Sequence, residues 1–550
     1  MKNFGGLVFL ILSIISSSVT KADDSIVVAL PEGQIRGQTL LSANENVYYA
    51  FQEIPYAAPP VGELRFKEPE APKNWDGVLN TTQNTKMCYQ SVIMFDTPGV
   101  TQTEDCLYLN VYTPVKPGDS SETPLPVLVW VHGGAFWLGS GVFQSNNPQY
   151  FIDHNIVVVT LNYRLGPLGF LTTQDGVIPG NLGLKDQHFA FQWVKKNIDL
   201  FGGDPEKITL SGESAGAIST GLHLLSSKNK GLFRAAIMQS GTALHQTAHQ
   251  DYARFYAFEL GRSLDPNFAS DDSTELLELL QSASAEDISL NNITADIGKE
   301  TDLLEGQGLI WLAVIEDASL EGAFLTGFHE EDIKNGNLIQ VPVIIGFNSE
   351  ENLFMVKDDP SLPETRAKYL DNDVSNLIGT KYNMTKENKV TAGTKLRQIY
   401  TDGLFQDNPG QVIKFYSDQE FTTPVIRHAK LQSKYTDVFL YQFSYKGEMG
   451  GMKDVEIDGV RGVGHAEDVN YFWGAFGSDG SDDSEDLMTR HRLLTMWANF
   501  VKYLDPTPEK DDLLDNITWE KVTPNNLVYL NINSTLEMQT NPKEYLKWER

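Results

Sequence analysis

The chain is predicted to be an α/β protein with a large, mostly parallel central sheet covered by helices on both faces. Two observations predict it. Short, continuously apolar, β-rich runs recur along the chain, each closed by loop or turn chemistry, and segments of helical period lie between them. One of these runs, Ile208-Thr209-Leu210, passes through Ser211-Gly212-Glu213-Ser214-Ala215-Gly216 into a helix-like segment, a strand-to-helix junction that such a sheet carries at its rim.

The runs come in order. Pro126 to Val131 reads as a buried central strand that enters a tight loop at His132-Gly133-Gly134. Ile156–Leu161, Ile208–Leu210, Ala235–Met238, Val341–Ile345 and Val438–Phe443 repeat the pattern. Asp186 to Ile198 has helical periodicity. Leu493, Leu494, Trp497, Phe500, Val501 and Leu504 predict a late helix that Pro506 stops. Asn267 to Ala318, rich in Ser, Asp, Glu and Leu, reads as an insertion in the same domain. The acidic stretch Gly477 to Asp486 lacks the ligand spacing of a calcium loop and is expected to be solvated loop.

The N-terminus carries Lys2, an apolar stretch from Leu7 to Ile15, then small and polar residues to Ala22, the three zones of a signal peptide. One catalytic domain is expected over residues 23–550, after a signal peptide at 1–22. No later segment offers the roughly 20 apolar residues of a membrane span, so no membrane anchor is expected. Five Asn-x-Ser/Thr sites, at Asn80, Asn292, Asn383, Asn516 and Asn533, are candidate glycan acceptors on a secreted chain. The two cysteines, Cys88 and Cys106, could close one loop in an oxidising compartment. A net charge of -30, from 43 basic and 73 acidic residues, opposes phosphate backbones, so nucleic acid is not an expected partner.

Gly-x-Ser-x-Gly after a strand puts Ser214 in a sharp turn with its hydroxyl above the sheet, where Gly212 and Gly216 leave room for neighbouring backbone. Acyl transfer builds charge on a carbonyl oxygen, which requires N–H donors at the place where that oxyanion forms. The loop His132-Gly133-Gly134-Ala135-Phe136 supplies them. Gly134 and Ala135 are the expected donors, joined by Ala215, with Gly133 shaping the turn. A serine needs a base, and His465, in the Gly-rich loop Gly462 to Asp468, comes last in the order nucleophile, acid, histidine. His223, on the helix after Ser214, reads as a packing or surface residue. A histidine base predicts activity that rises through roughly pH 6 to 7. The acid belongs at the end of the Val341–Gly346 strand, where Glu350 and Glu351 are both available and spacing alone leaves the choice open.

Longer motifs extend the pattern: Ala50-Phe51, Ile54-Pro55-Tyr56-Ala57, Pro59-Pro60, Leu64-Arg65-Phe66, Glu104 to Val111, Asn162-Tyr163-Arg164, and Asn181-x-Gly183-Leu184-x-Asp186-Gln187. With the serine and histidine loops they resemble the type-B carboxylesterase family, which includes cholinesterases, insect carboxylesterases and juvenile hormone esterases. The likeness spans nearly all of the chain after residue 22. It implies the α/β-hydrolase fold, ester hydrolysis without a cofactor or metal, Glu351 as the acid, and a Cys88–Cys106 disulfide. It also implies structural ion pairs Arg65–Glu104 and Arg164–Asp186, and orienting positions at Ser240 and Asp468 behind the histidine.

This sequence departs from the family at three points. Ala135 replaces the usual third glycine. No tryptophan lies between Cys88 and Cys106, which speaks against choline esters. Glu213 stands before the serine, where juvenile hormone esterases commonly show Gln. The expected partner is a small or medium apolar ester. The alternative is a non-catalytic or sequestering binding protein of the same fold.

Overall fold

A computed structural model describes residues 26–90, 97–119, 123–291, 293, 309–379, 384–473 and 484–546. The expected signal peptide at 1–22, Asn292, Asn383 and the acidic residues 477–483 lie outside them.

Eleven strands form the central sheet: β1 (Gln38–Leu41), β2 (Val47–Pro55), β3 (Tyr108–Thr113), β4 (Leu125–Val131), β5 (Val157–Leu161), β6 (Gly203–Glu213), β7 (Ala235–Gln239), β8 (Val343–Asn348), β9 (Val438–Phe443), β10 (Val528–Ile532) and β11 (Leu536–Thr540). Their spatial order is β11-β10-β9-β8-β7-β6-β4-β5-β3-β2-β1. From β5 to β10 every neighbouring pair is parallel. At the margins β1, β2 and β3 are joined to one another and to β5 antiparallel, as β11 is to β10.

Alternation along the parallel strands sends side chains to two faces. Val127, Val129 and Val131 join Val157, Val159 and Leu210 in one buried cluster. Leu128 and Trp130 join Val158, Ile237 and Ile344 in the other. With both faces apolar, each must be covered. Helices α1 (Leu182–Asn197) and α2 (Ala215–Leu225) cover the first face through Leu184, Val194, Ala217 and Leu222. Farther along, α3 (Pro409–Ser417) and α4 (Thr423–Gln432) are joined through a π-helical turn, Asp418–Thr422. Helix α5 (Ser484–Tyr503) covers the second face with Leu494, Trp497 and Val501.

Two expectations need correction. Helix α5 begins nine residues before Leu493, at Ser484, so the last three residues of the expected acidic loop are helical. Asp486 is buried there and accepts from the Glu448 and Met449 N–H groups and the Tyr471 hydroxyl, a role that composition does not reveal. Helix α1 begins at Leu182, one turn before Asp186. In the 267–318 region, helices Ser273–Ser282 and Ala285–Leu290 place Leu276, Leu280 and Ile288 in the first-face cluster.

Candidate active site

Strand β6 ends at Glu213 and α2 begins at Ala215, which leaves Ser214 alone in the turn, with φ 54° and ψ -123°. An L-residue pays roughly 1–3 kcal/mol for such a backbone, so the surroundings must impose it. A Cβ on Gly216 would lie 2.0 Å from the Val131 carbonyl oxygen, and one on Gly212 would lie 2.4 Å from Gly216. Both glycines are therefore required by close backbone approach. The Ser214 N–H donates to the Gln239 carbonyl at 2.9 Å, tying the turn to β7.

The loop after β4 runs against this turn: a Cβ on Gly133 would stand 3.1 Å from that of Ser214. Gly134, Ala135 and Phe136 follow with φ 105°, 56° and 63°. Positive φ at three successive residues bends this loop sharply beside Ser214. Ala215 is the first residue of α2, so its N–H has no acceptor within the helix.

The loops that carry Glu351 and His465, beyond the ends of β8 and β9, are laced together. His465 Nδ1 lies 2.7 Å from Glu351 Oε2, and the His465 N–H donates to the Glu351 carbonyl at 2.9 Å. Glu351 Oε1 accepts from the Asn348 N–H at 2.7 Å, which fixes the carboxylate from its other side. Asn348 Nδ2 donates to the Gly464 carbonyl and, at 3.2 Å, to Asp468 Oδ1. Glu350 points elsewhere, with Oε1 3.3 Å from Lys543 Nζ.

Asp468 also accepts from Gln239 Nε2 and the Tyr441 hydroxyl. It makes no hydrogen bond to His465 and is linked to Glu351 through Asn348. Ser240 Oγ is buried with no hydrogen-bond partner among the described residues; the Ser240 N–H donates to Gly346 and connects β7 to β8. Asn348, Gln239 and Tyr441 lack motif spacing and were not predicted.

A further residue missed by sequence reasoning faces the histidine's other nitrogen. Glu213 Oε1 lies 3.1 Å from His465 Nε2, at ion-pair distance but outside hydrogen-bond geometry. Burial pushes the Glu213 carboxyl up to about 8, against the downward pull of His465. Burial would lower His465; the carboxylates of Glu213 and Glu351 overcome it and hold the imidazole up at about 9. Two carboxylates flank one ring, and their attraction for the proton acts upward against the effect of burial.

Phe421 and Phe354 pack on the His465 ring, with centroids 4.7 and 5.4 Å away. His223 is fully buried between Gln187 and Asn229, which accounts for both ring nitrogens. The Cys88–Cys106 disulfide is formed. Arg65 pairs with Glu104 and Arg164 with Asp186, each at 2.6 Å. Among the described residues no group of His, Cys, Asp and Glu is arranged to hold a metal ion.

A mixed sheet with a parallel centre and a Gly-x-Ser-x-Gly turn at the end of β6 defines the α/β-hydrolase fold. The profile described as the Carboxylesterase family matches residues 24–547, and the chain belongs to that family of carboxylic ester hydrolases. It is 31% identical to a juvenile hormone esterase of Tribolium castaneum, over 91% of this chain and 87% of the relative. It is 32% identical to venom carboxylesterase-6 of Apis mellifera, over 90% and 87%. The crystal structure of juvenile hormone esterase from Manduca sexta, with OTFP covalently attached, superposes with a TM-score of 0.82 at 27% identity and covers 95% of this chain and 98% of that one.

Proposed function

We propose that this chain is a secreted carboxylesterase that cleaves small or medium apolar esters through an acyl-enzyme on Ser214, with His465 as base and Glu351 as acid. The observation that carries the reading is the 2.7 Å contact between His465 Nδ1 and Glu351 Oε2, at a loop laced to its neighbour by backbone bonds. The acid fixes the tautomer that leaves Nε2 free to take a proton and stabilises the imidazolium that results.

In the first step Ser214 Oγ attacks the ester carbonyl carbon while its proton passes to His465 Nε2. The oxyanion is held by the N–H groups of Gly134, Ala135 and Ala215. Collapse breaks the bond to the alcohol oxygen, which takes the proton from His465 as it leaves. Water then gives a proton to His465 and attacks the acyl carbon, and the returning proton restores Ser214 as the acid departs. The apolar wall of Phe421 and Phe354 beside His465 favours an apolar ester. Asp468 orients the histidine loop from behind, acting through Asn348, whereas the Ser240 hydroxyl makes no hydrogen bond among the described residues that would give it that role. The covalent OTFP adduct of the Manduca sexta relative is in keeping with a nucleophilic mechanism.

Secretion after removal of residues 1–22, with one domain over 23–550, is supported by the disulfide, which belongs to an oxidising compartment. It is also supported by the exposure of two acceptor residues, Asn80 and Asn516; Asn533 is half-buried. No described helix is long and apolar enough to cross a membrane.

The test is hydrolysis of a short-chain p-nitrophenyl ester by the wild type beside a folded Ser214→Ala variant, with an organophosphate titrating the serine. Turnover that disappears in the variant and after stoichiometric phosphorylation is expected. A folded wild type that neither turns over nor takes up the organophosphate would refute the mechanism and leave a binding protein.

A further inference from the structure

The chain after β11 returns to the acid loop. The Asn541 N–H donates to the Leu527 carbonyl at 2.8 Å, and Asn541 and Lys543 both adopt left-handed backbone, with φ 53° and 54°. This sharp turn drives the Lys543 side chain inward until it is 10% exposed. Its ammonium donates to the Ser349 carbonyl at 2.5 Å and stands 3.3 Å from Glu350 Oε1. Two residues on, the Tyr545 hydroxyl donates to Asp418 Oδ2 at 2.7 Å, a carboxylate that also accepts from the Tyr400 hydroxyl at 3.1 Å.

These anchors grip the two elements that meet at His465. Ser349 and Glu350 immediately precede Glu351. Asp418 opens the π-helical turn that carries Phe421, whose ring packs 4.7 Å from that of His465. The turn and the acid loop are themselves joined: the Asn352 N–H donates to Ser417 Oγ at 2.9 Å and Asn352 Nδ2 to Glu420 Oε2 at 2.8 Å. The acid loop is thus held by the π turn through Asn352 and by the C-terminal segment through Ser349 and Glu350. A buried ammonium among carboxylates adds little net stability, because desolvation offsets the attraction. What it does supply is a fixed position for the peptide on which Glu351 is mounted.

We propose that Lys543 is a positioning residue, which acts through Ser349 and Glu350 to hold Glu351 in register with His465. This rests on the reading of Glu351 as the acid of the site.

The test is a double-mutant cycle in the full-length protein. Lys543→Met is made in the wild type and in Glu351→Gln, with Lys543→Arg as the conservative variant and kcat, KM and the thermal midpoint measured for each. In the wild-type background Lys543→Met should lower kcat roughly ten- to a hundredfold with KM changed less than about threefold, the loss expected when a reacting group is misplaced by part of an ångström. Lys543→Arg should recover much of it. In the Glu351→Gln background the same change should cost less than about threefold in kcat, since the group it positions is already gone.

Equal losses in both backgrounds, or an unchanged kcat, would overturn the proposal. If Lys543→Met does not fold, Lys543→Gln, which removes the ammonium and keeps a polar side chain, is carried through the same cycle and judged by the same criterion. Undiminished turnover in Glu351→Gln alone would overturn the acid assignment and this proposal with it. A diminished Glu351→Gln with equal losses in both backgrounds overturns the positioning role only.

Discussion

Replacing Glu213 with Gln removes a charge 3.1 Å from His465 Nε2 and leaves the side chain's shape nearly unchanged. The Glu213 and Glu351 carboxylates hold the imidazole up at about 9 against the pull of burial, and of the two Glu213 acts more strongly as a charge through space. At this separation a full charge contributes about 5 kcal/mol at an effective dielectric of about 20, an upper bound. The bound is not reached, because burial pushes Glu213 itself up to about 8 and its charge fades as pH falls through that range.

Glu213→Gln should therefore lower the histidine's midpoint, by roughly one pH unit, a tenfold change in the proton equilibrium. The sign follows from the base being active when neutral: weaker attraction for the proton moves the acid limb of kcat/KM to lower pH. The assay is kcat/KM on a p-nitrophenyl ester from about pH 5 to pH 10, corrected for spontaneous hydrolysis, with both proteins shown to fold. An acid limb that stays in place, or moves upward, would refute the account of Glu213 as the principal field on the histidine.

Glu351→Gln should lower kcat by roughly 10³ to 10⁴, the scale of losing the orienting acid of a triad, whereas Glu350→Gln, which faces Lys543, should lose far less; steady-state kinetics on the two folded variants decides it, and equal losses would defeat the assignment. Gly134→Ala places a methyl group 2.2 Å from the Leu138 carbonyl oxygen at φ 105°. The loop must shift, and kcat should fall roughly 10² to 10³ if Gly134 is an oxyanion donor; unchanged organophosphate labelling and turnover would count against that role. Removing both Cys88 and Cys106 opens a loop of 18 residues and should cost about 3 kcal/mol of stability, read as a lower thermal midpoint with activity per folded molecule retained.

What the sequence carried well was local. The strands from Pro126 to Phe443 are legible because a parallel strand buried on both faces is a continuous apolar run, and each predicted run has its strand within a few residues. Strands β1, β2, β3, β10 and β11 escaped the reading. The edge strand Leu536 to Thr540 mixes exposed and buried residues and carries no such run, while in β3 and β10 Asn110 and Asn531 interrupt the apolar run. At the site, Ser214 and His465 announce themselves through the glycines that their turns demand. Glu351 does not, because two adjacent loop carboxylates differ only in direction, and direction is set by contacts from elsewhere: the Asn348 N–H for one, Lys543 for the other. Asp486 was misread for the same reason, since its donors come from residues 448, 449 and 471.

Glu213, Glu351 and Asp468 gather negative charge around one histidine, and this has opposed effects on the reaction. In the proposed mechanism a neutral imidazole must first exist to accept the Ser214 proton, and each charged carboxylate makes it scarcer. Once the proton moves, the same mechanism has those carboxylates stabilise the imidazolium that accompanies the oxyanion, which would lower the barrier. The two effects separate in the variants. Glu351 touches Nδ1 and fixes the ring as well as its charge, so its loss removes orientation and stabilisation together. Glu213 lies by Nε2, where no hydrogen bond fixes it, so its loss should act chiefly through charge. Glu213→Gln should accordingly move the acid limb and reduce the high-pH plateau of kcat/KM modestly, whereas Glu351→Gln should collapse the plateau. A collapse of equal depth in both would mean that Glu213 orients the reacting groups as well as charging them.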